Sequence, residues 1–298
     1  MTGTERARSS ALQSIVGVAA LIALVAACTT SPKPPGQTYT FQATRITNIT
    51  QNGDYPLTFW DPDSIEEPYL VHLGLRLTLS TPVQVSTFVS STYANGGQII
   101  GKVGPGQSLD VNPGDGATFA GVLLPDLGDL NNGFPLEILG SIEFLMERDQ
   151  LIPVGIVQIL QGLSQLINEA LPPILGAGGI PSTAQGILDL ISAVLPGVVS
   201  TIVGFLGSAL ASVAGTDQFI GLSPQFFLAV GGGLGSFLSN SLPSIISLVN
   251  FVLSLQNPNP FPKGLPLGIG VVGDGVLAHY GTAPDTSTYD VQYGWAVS

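Results

Sequence analysis

The sequence predicts an α+β protein: an antiparallel, β-sandwich-like domain that is completed by C-terminal strands and carries a large apolar helical insertion. Three observations support this fold class. Residues 38–130 and 263–298 alternate apolar and polar positions between Gly- and Pro-rich turns, as β-strands do. Residues 131–262 contain long apolar stretches with helical spacing. The charge distribution changes along with these patterns, because residues 151–262 contain no Lys, Arg or His.

The first 27 residues have the three parts of a secretory signal sequence. Arg6 and Arg8 form a short positive segment, an apolar stretch follows, and small residues precede position 28. The apolar stretch is shorter than the roughly 20 residues that a membrane-spanning helix needs, and its length suits a signal sequence. We therefore expect residues 1–27 to be removed after export and residues 28–37 to form a Pro-rich tether.

The order aliphatic, small, small, cysteine in Val25-Ala26-Ala27-Cys28 resembles the lipobox of bacterial lipoproteins. The resemblance covers residues 1–28 only. It implies that Cys28 becomes the first residue of the mature chain and carries acyl chains such as palmitate. The protein would then be anchored at the extracytoplasmic face of the cell membrane or envelope, durably so with two or three chains. Because Cys28 is the only cysteine, we expect no disulfide in the mature domain.

Strand-like periodicity predicts the β-domain. Residues 69–79 have an apolar side chain at every odd position, with His72, Gly74 and Arg76 among the residues between them. This alternation is typical of a half-buried strand. Residues 38–50 and 83–93 indicate further strands, and Gly- and Pro-rich turns separate the segments.

Four apolar stretches of the predicted insertion are assigned to helices. Residues 135–149 and 152–171 repeat apolar side chains three and four positions apart, with polar residues between them. Residues 187–213 and 226–255 are nearly all apolar or small. Pro196 is expected to kink or break the first of these two.

The C-terminal region returns to a strand-like pattern. Residues 267–272, 275–280 and 288–297 are predicted as two or three strands separated by Gly- and Pro-containing turns. The economical arrangement is one β-domain, formed by residues 38–130 and 263–298, into which residues 131–262 are inserted.

The composition excludes some partners. Only 9% of the residues are charged, and the formal net charge is −12. This acidity excludes nucleic acid, which requires basic patches on its partners. It also argues against electrostatic attraction to anionic lipid headgroups. Any membrane contact beyond the anchor at Cys28 would therefore be made by apolar surface.

Catalytic motifs are absent from the sequence, so we predict no catalytic residue. The two histidines are His72 and His279, and neither lies in a nucleophile, metalloprotease or phosphate-binding motif. We expect both to be ordinary surface or half-buried side chains.

The best cluster of carboxylates lies in the β-region, where Asp61, Asp63, Glu66 and Glu67 fall within seven residues. Carboxylate oxygens are the ligands that calcium prefers, which makes these four residues candidates for a calcium site. Their spacing does not match an EF-hand loop, and the alternative is a solvated acidic loop between strands. No other cofactor is expected.

Small residues recur every four positions in the apolar region, at Ser200, Gly204, Ser208 and Ser212. Such a row lets helices approach closely and is common where membrane helices pack. Three arrangements remain open: a soluble bundle packed through small residues, a bundle that encloses an apolar groove, and a membrane-inserted hairpin.

Three functions follow as hypotheses. The first is a non-enzymatic, lipid-anchored protein whose helical region binds an apolar ligand, an envelope lipid or a protein partner. The second is a membrane-inserting or pore-forming protein that uses helices 187–215 and 226–255. The third is an envelope hydrolase. We favour the first, because a nearly charge-free region is tethered beside a membrane.

Overall fold

The computed structural model describes residues 36–50, 68–80, 83–91, 101, 103–111, 116–147, 154–175, 181–210, 218–254, 267–281 and 287–298. All of them belong to one unit, Gly36–Ser298. These residues form ten strands and four helices, so the predicted α+β class is confirmed.

The strands are β1 (Gln37–Thr50), β2 (Pro68–Leu79), β3 (Gln84–Ser91), β4 (Ser108–Asp110), β5 (Gly116–Val122), β6 (Leu136–Glu147), β7 (Gln218–Ala229), β8 (Gly268–Val271), β9 (Val276–Tyr280) and β10 (Thr288–Val297). The helices are α1 (Leu127–Asn131), α2 (Val154–Leu175), α3 (Ala184–Leu210) and α4 (Gly232–Ser254).

The first sheet, sheet 1, is built around the long strand β1. Strand β10 pairs antiparallel with one edge of β1, from Tyr39 opposite Val297 to Thr50 opposite Thr288. Strands β5 and β4 share the other edge of β1, and β9 pairs with β10. The C-terminal strands β9 and β10 therefore complete the sheet that β1 begins.

The second sheet, sheet 2, has the strand order β3-β2-β6-β7-β8. The first three pairings are antiparallel, but β7 and β8 are parallel, with Gln225 opposite Gly268. The prediction of wholly antiparallel strands is wrong at this edge. A parallel pair needs a crossover connection, and helix α4 lies between β7 and β8 in the chain.

One face of sheet 2 packs against sheet 1. Side chains of both sheets share a single apolar cluster. Its largest contacts are aromatic: the ring centroids of Phe41 and Phe227 lie 4.8 Å apart, and those of Phe88 and Phe119 lie 5.4 Å apart. Each pair joins a strand of sheet 1 to a strand of sheet 2.

The other face of sheet 2 is covered by helices. Helix α2 packs on β3 and β2, α4 packs on β8, and α3 makes its main contacts with α2 and α4. Leucine and isoleucine side chains of all three helices join the odd-numbered residues of β2 in a second apolar cluster. Pro196 lies inside α3 and does not end it.

Two segments that were predicted as helices are strands. Residues 135–149 contain β6, and the stretch predicted from 226 to 255 begins with the last residues of β7 before α4 starts at Gly232. Strand β6 is buried on both faces, so its apolar residues form a nearly continuous run instead of alternating. Its carboxylates Glu137 and Glu143 gave the sequence the amphipathic pattern of a helix, although both are buried.

An arginine links the two sheets at one end. Arg76 of β2 donates to both carboxylate oxygens of Glu137 on β6, at 2.7 and 2.8 Å. Its Nη1 also donates to the backbone carbonyl of Ala120 on β5, at 2.7 Å. Sheet 2 is thereby attached to the end of β5 in sheet 1.

Candidate functional site

An apolar hollow lies between helix α3 and sheet 2. Its enclosed free volume is about 20 Å³, which is room for about one water molecule, so a larger apolar ligand would need α3 to move outward. Only apolar residues line it: Leu77 and Leu79 of β2, Ile138 of β6, Phe226, Phe227 and Leu228 of β7, Leu190, Ile191, Val194 and Val198 of α3, and Ile269 of β8.

The hollow follows from how α3 is supported. This helix contacts its neighbours α2 and α4, which pack near opposite edges of the same face of sheet 2. It therefore crosses the middle of that face. The ring of Phe205 on α3 packs closely against Gly162 of α2, because a Cβ atom added at Gly162 would lie only 3.2 Å from the ring. Space therefore remains beneath the first half of α3, where Leu190 and Val194 face β2 and β7.

The chemistry of the hollow is restricted to apolar recognition. No charged or hydrogen-bonding side chain contributes to its lining. Burial of apolar surface is the driving force that such a wall offers a ligand, and it carries little directional specificity. The hollow suits an aliphatic chain better than a polar metabolite, because a polar group there would lose its hydrogen bonds to water.

A cluster of polar side chains is buried on the opposite face of sheet 2. His72 of β2 and Glu143 of β6 lie directly opposite each other and form an ion-pair contact through Nδ1 and Oε2. Both side chains are 0% exposed. The hydroxyl of Ser141 donates to the other carboxylate oxygen of Glu143. The expectation of a surface or half-buried His72 is therefore wrong.

Two tyrosines of sheet 1 complete this polar cluster. The hydroxyls of Tyr280 on β9 and Tyr293 on β10 lie 2.6 Å apart and share a hydrogen bond. Burial raises the pKa of both hydroxyls well above 10.0, and the nearby Glu143 carboxylate raises each pKa further. The tyrosines are therefore neutral hydrogen-bonding groups in the protein interior.

The arrangement of this cluster indicates a structural role. His72 Nε2 has no hydrogen-bond partner among the described residues, although it is buried. A substrate would have to pass between the sheets to reach it. Strand register creates the cluster, because Ser223 of β7 lies opposite Glu143 in the same row. Sequence reasoning identified His72 but missed Glu143, Tyr280 and Tyr293, and no local signal links these positions.

The second histidine lies on the outer surface of sheet 1. His279 Nδ1 is 2.5 Å from Asp290 Oδ1 on the neighbouring strand β10, and the two side chains are 70% and 29% exposed. The expectation of a surface position is confirmed for this histidine. Within the described residues no group of three or more His, Cys, Asp or Glu side chains is arranged to hold a metal ion.

Several of the predicted site residues lie outside the described part of the chain. These are the lipidation residue Cys28 and the calcium candidates Asp61, Asp63, Glu66 and Glu67. Of the small-residue row, Ser212 also lies outside it, and the placement of the Ser208 side chain is not described.

The remaining residues of the small-residue row, Ser200 and Gly204, lie on α3. Gly204 is exposed, and a Cβ built there would meet no atom within 4 Å. The close approach between α2 and α3 that the structure does describe occurs at Gly162 instead, against Phe205.

Helix α3 also has the length and composition to cross a bilayer. Among the described helices it is the one that meets this criterion, over Ala184–Ile202, of which 35% is buried. Its exposed side is small or polar, as at Gln185, Asp189, Ala193 and Gly197. Core helices of soluble proteins pass the same test of length and apolarity, so α3 carries little information about insertion.

No protein family, curated protein sequence or solved structure matches this chain.

Proposed function

We propose that this chain is a non-enzymatic, lipid-anchored extracytoplasmic protein that holds an acyl chain of an envelope lipid in the hollow beneath α3. The single observation that carries the proposal is the wholly apolar lining of that hollow. The lipobox-like sequence at Cys28 places the hollow beside a membrane, which is the source of such chains. The low charge of residues 151–262 is consistent with this environment.

The fold that we propose for this function is a β-sandwich-like pair of sheets with one helical layer. The aromatic contact between Phe41 and Phe227 supports face-to-face packing of the sheets. The hydrogen bond from Arg76 of β2 to the Ala120 carbonyl of β5 then attaches sheet 2 to sheet 1. The helices remain as a separable cover, and the hollow lies under that cover rather than between the sheets.

The test measures binding of a fluorescent long-chain fatty acid by the full mature chain. The chain is kept in solution by detergent micelles, at a detergent concentration too low to extract the fatty acid from the protein. Val194→Phe should fill the hollow and abolish most of the probe's fluorescence gain. Ala193→Phe is the matched control, because Ala193 is the next residue of α3 and is exposed. Equal binding by both variants, or no binding by the parent protein, would contradict the proposal.

Membrane insertion by helices 187–215 and 226–255 is less well supported. Strand β7 lies between α3 and α4 in the chain and pairs with both β6 and β8. Such a hairpin would have to remove β7 from the middle of sheet 2. Leakage of dye from liposomes on addition of the purified protein would favour insertion over ligand binding.

An envelope hydrolase that uses His72 is also less well supported, because His72 is 0% exposed. A hydrolytic screen of the parent protein and of a His279→Ala variant tests the remaining version. Activity that disappears with His279 would favour the hydrolase.

A further inference from the structure

We infer that one particular end of the folded unit contacts the lipid bilayer, with Leu124 and Val297 at the contact. This inference rests on the lipid anchor of the proposed function. We call this end the anchor end. It is formed by Gly36 at the start of β1, by the end of β5, by the end of β10 and by Gly231 before α4.

Hydrogen bonds and close contacts bring these four chain segments together. Gln37 of β1 pairs with Val122 of β5. Thr38 and Ser298 exchange two backbone hydrogen bonds, of 3.1 and 3.0 Å. Gly231 donates its backbone N–H to the carbonyl of Pro125, just beyond β5. Neighbouring strands are about 4.8 Å apart, so the ends of β10, β1 and β5 lie within about 10 Å of one another.

The length of the tether restricts how the unit can face the membrane. Cys28 and Gly36 are eight residues apart in sequence, which allows at most about 29 Å between them when fully extended. Strand β1 runs away from the anchor end for about 43 Å, at about 3.3 Å per residue. The tether is therefore too short to let the unit stand on its opposite end, where Ile49 lies.

Two of the exposed large apolar side chains in the described part of the chain lie at the anchor end, and others of similar exposure, such as Ile49 and Leu277, lie elsewhere. Leu124 is 37% exposed and Val297 is 56% exposed, and both lie beside the start of β1. Phe237, on the second turn of α4, is 43% exposed. The outer face of sheet 1 carries polar pairs, such as Thr40 with Thr118 and Thr47 with Ser108, together with the exposed Leu277.

The charges near the anchor end set the kind of lipid surface that it accepts. Asp126 and Asp129 cap helix α1, each accepting a backbone N–H from the other residue. The Arg76 guanidinium is already paired with Glu137. The end is thus acidic and apolar, and it suits a zwitterionic lipid surface rather than an anionic one.

Part of the lining of the hollow lies toward the same end of sheet 2. Leu79 is the last residue of β2, and Ile138 and Leu228 lie opposite each other near the start of β6 and the end of β7. The contact from Arg76 to Ala120 places these strand ends beside the anchor end. An acyl chain that leaves the bilayer would thus have a short path to the hollow.

The test is spin labelling of single-cysteine variants of the mature lipidated chain in phosphatidylcholine vesicles. Acylated Cys28 has no free thiol, so each new cysteine is the only labelling site. Leu124→Cys and Val297→Cys are the test variants, with Phe237→Cys as a third position. Ile49→Cys is the matched control, because Ile49 is an aliphatic residue of similar exposure, 48%, at the opposite end of β1.

We expect labels at the first two positions to collide severalfold more with oxygen than with a water-soluble nickel chelate, relative to the label at position 49. Equal aqueous accessibility at all positions would overturn the inference, as would mass spectrometry that shows no lipid on Cys28. If the protein binds the fatty acid but the labels are exposed to water, this inference alone is overturned. If the labels lie in lipid but the protein binds no fatty acid, only the ligand part of the proposed function is overturned.

Discussion

His72 on β2 and Glu143 on β6 lie directly opposite each other in sheet 2, and neither side chain is accessible to solvent. A buried carboxylate and imidazole stabilise each other as a pair, because both groups have lost their hydrogen bonds to water. The pair is surrounded by hydroxyl groups, with Ser141 bonded to the same carboxylate. Loss of either partner should therefore destabilise the fold.

Replacing Glu143 alone with leucine should destabilise the protein by about 3–5 kcal/mol, because it leaves the buried His72 without its partner. Denaturant unfolding of the mature chain measures the loss. The double variant His72→Phe/Glu143→Leu should lose less than the single variant, since the imidazole is removed together with its partner, although the Ser141 hydroxyl still loses its acceptor. A single-variant loss below about 1 kcal/mol would contradict the structural role of the pair.

The buried tyrosines predict a decline of stability at alkaline pH. The pKa values of Tyr280 and Tyr293 are raised above 10.0 in the folded state by burial and by Glu143. In the unfolded chain both hydroxyls have a pKa near the ordinary tyrosine value of 10.0. The unfolded chain therefore binds fewer protons than the folded chain above pH 10.0. Their contribution is therefore fully present below that pH and is lost as pH rises through the folded-state pKa values.

Tyrosinate absorbance during an alkaline titration checks this, together with unfolding free energies at each pH. Tyr280→Phe/Tyr293→Phe should show a shallower decline above pH 10.0 than the parent protein. An unchanged slope in the double variant would show that other groups are responsible.

Arg76 should contribute more to stability than Arg45, although both form ion pairs. Arg76 joins Glu137, which is 9% exposed, whereas Arg45 lies 3.8 Å from an Asp110 that is 86% exposed. Arg76→Ala should therefore cost about 2–3 kcal/mol, because Glu137 loses its charged donor. Arg45→Ala should cost less than about 1 kcal/mol. Similar unfolding midpoints for the two variants would refute this difference.

Two glycines should respond to alanine in opposite directions. A Cβ on Gly74 would overlap the Phe88 ring in the contact between the sheets, so Gly74→Ala should cost about 1–3 kcal/mol. Gly204 is an exposed helical residue with open space around it. Gly204→Ala should stabilise the protein by about 0.5–1 kcal/mol. Thermal unfolding distinguishes the two, and destabilisation by Gly204→Ala would reveal a contact in the helical layer.

Sequence patterns predicted the strands in which apolar and polar residues alternate, including β2, which is buried on both faces, and missed β6. The alternation in β1, β9 and β10 reflects the exposed outer side of sheet 1. Strand β6 packs against sheet 1 on one side and helices on the other, so its sequence has no polar face to reveal it. Its Glu143 is paired with a residue 71 positions away, and strand register alone brings the two together.

The candidate site was beyond sequence analysis for a different reason. Sequence analysis predicted a helix over residues 187–213, and Ile187 and Ile191 of α3 are buried. It does not predict that α3 rests on its neighbouring helices and leaves a gap above sheet 2. That gap depends on how far each of the three helices lies from sheet 2. Contacts between helices, such as that of Phe205 with Gly162, set these distances.

The pairing of β1 with β10 has a consequence for biogenesis. A hydrogen bond such as that from Thr44 to the carbonyl of Gln292 joins residues 248 positions apart. The earliest strand to be synthesised must therefore wait for almost the last one, and contacts of such long sequence separation form slowly. Sheet 1 therefore cannot close before residues 288–297 have been synthesised.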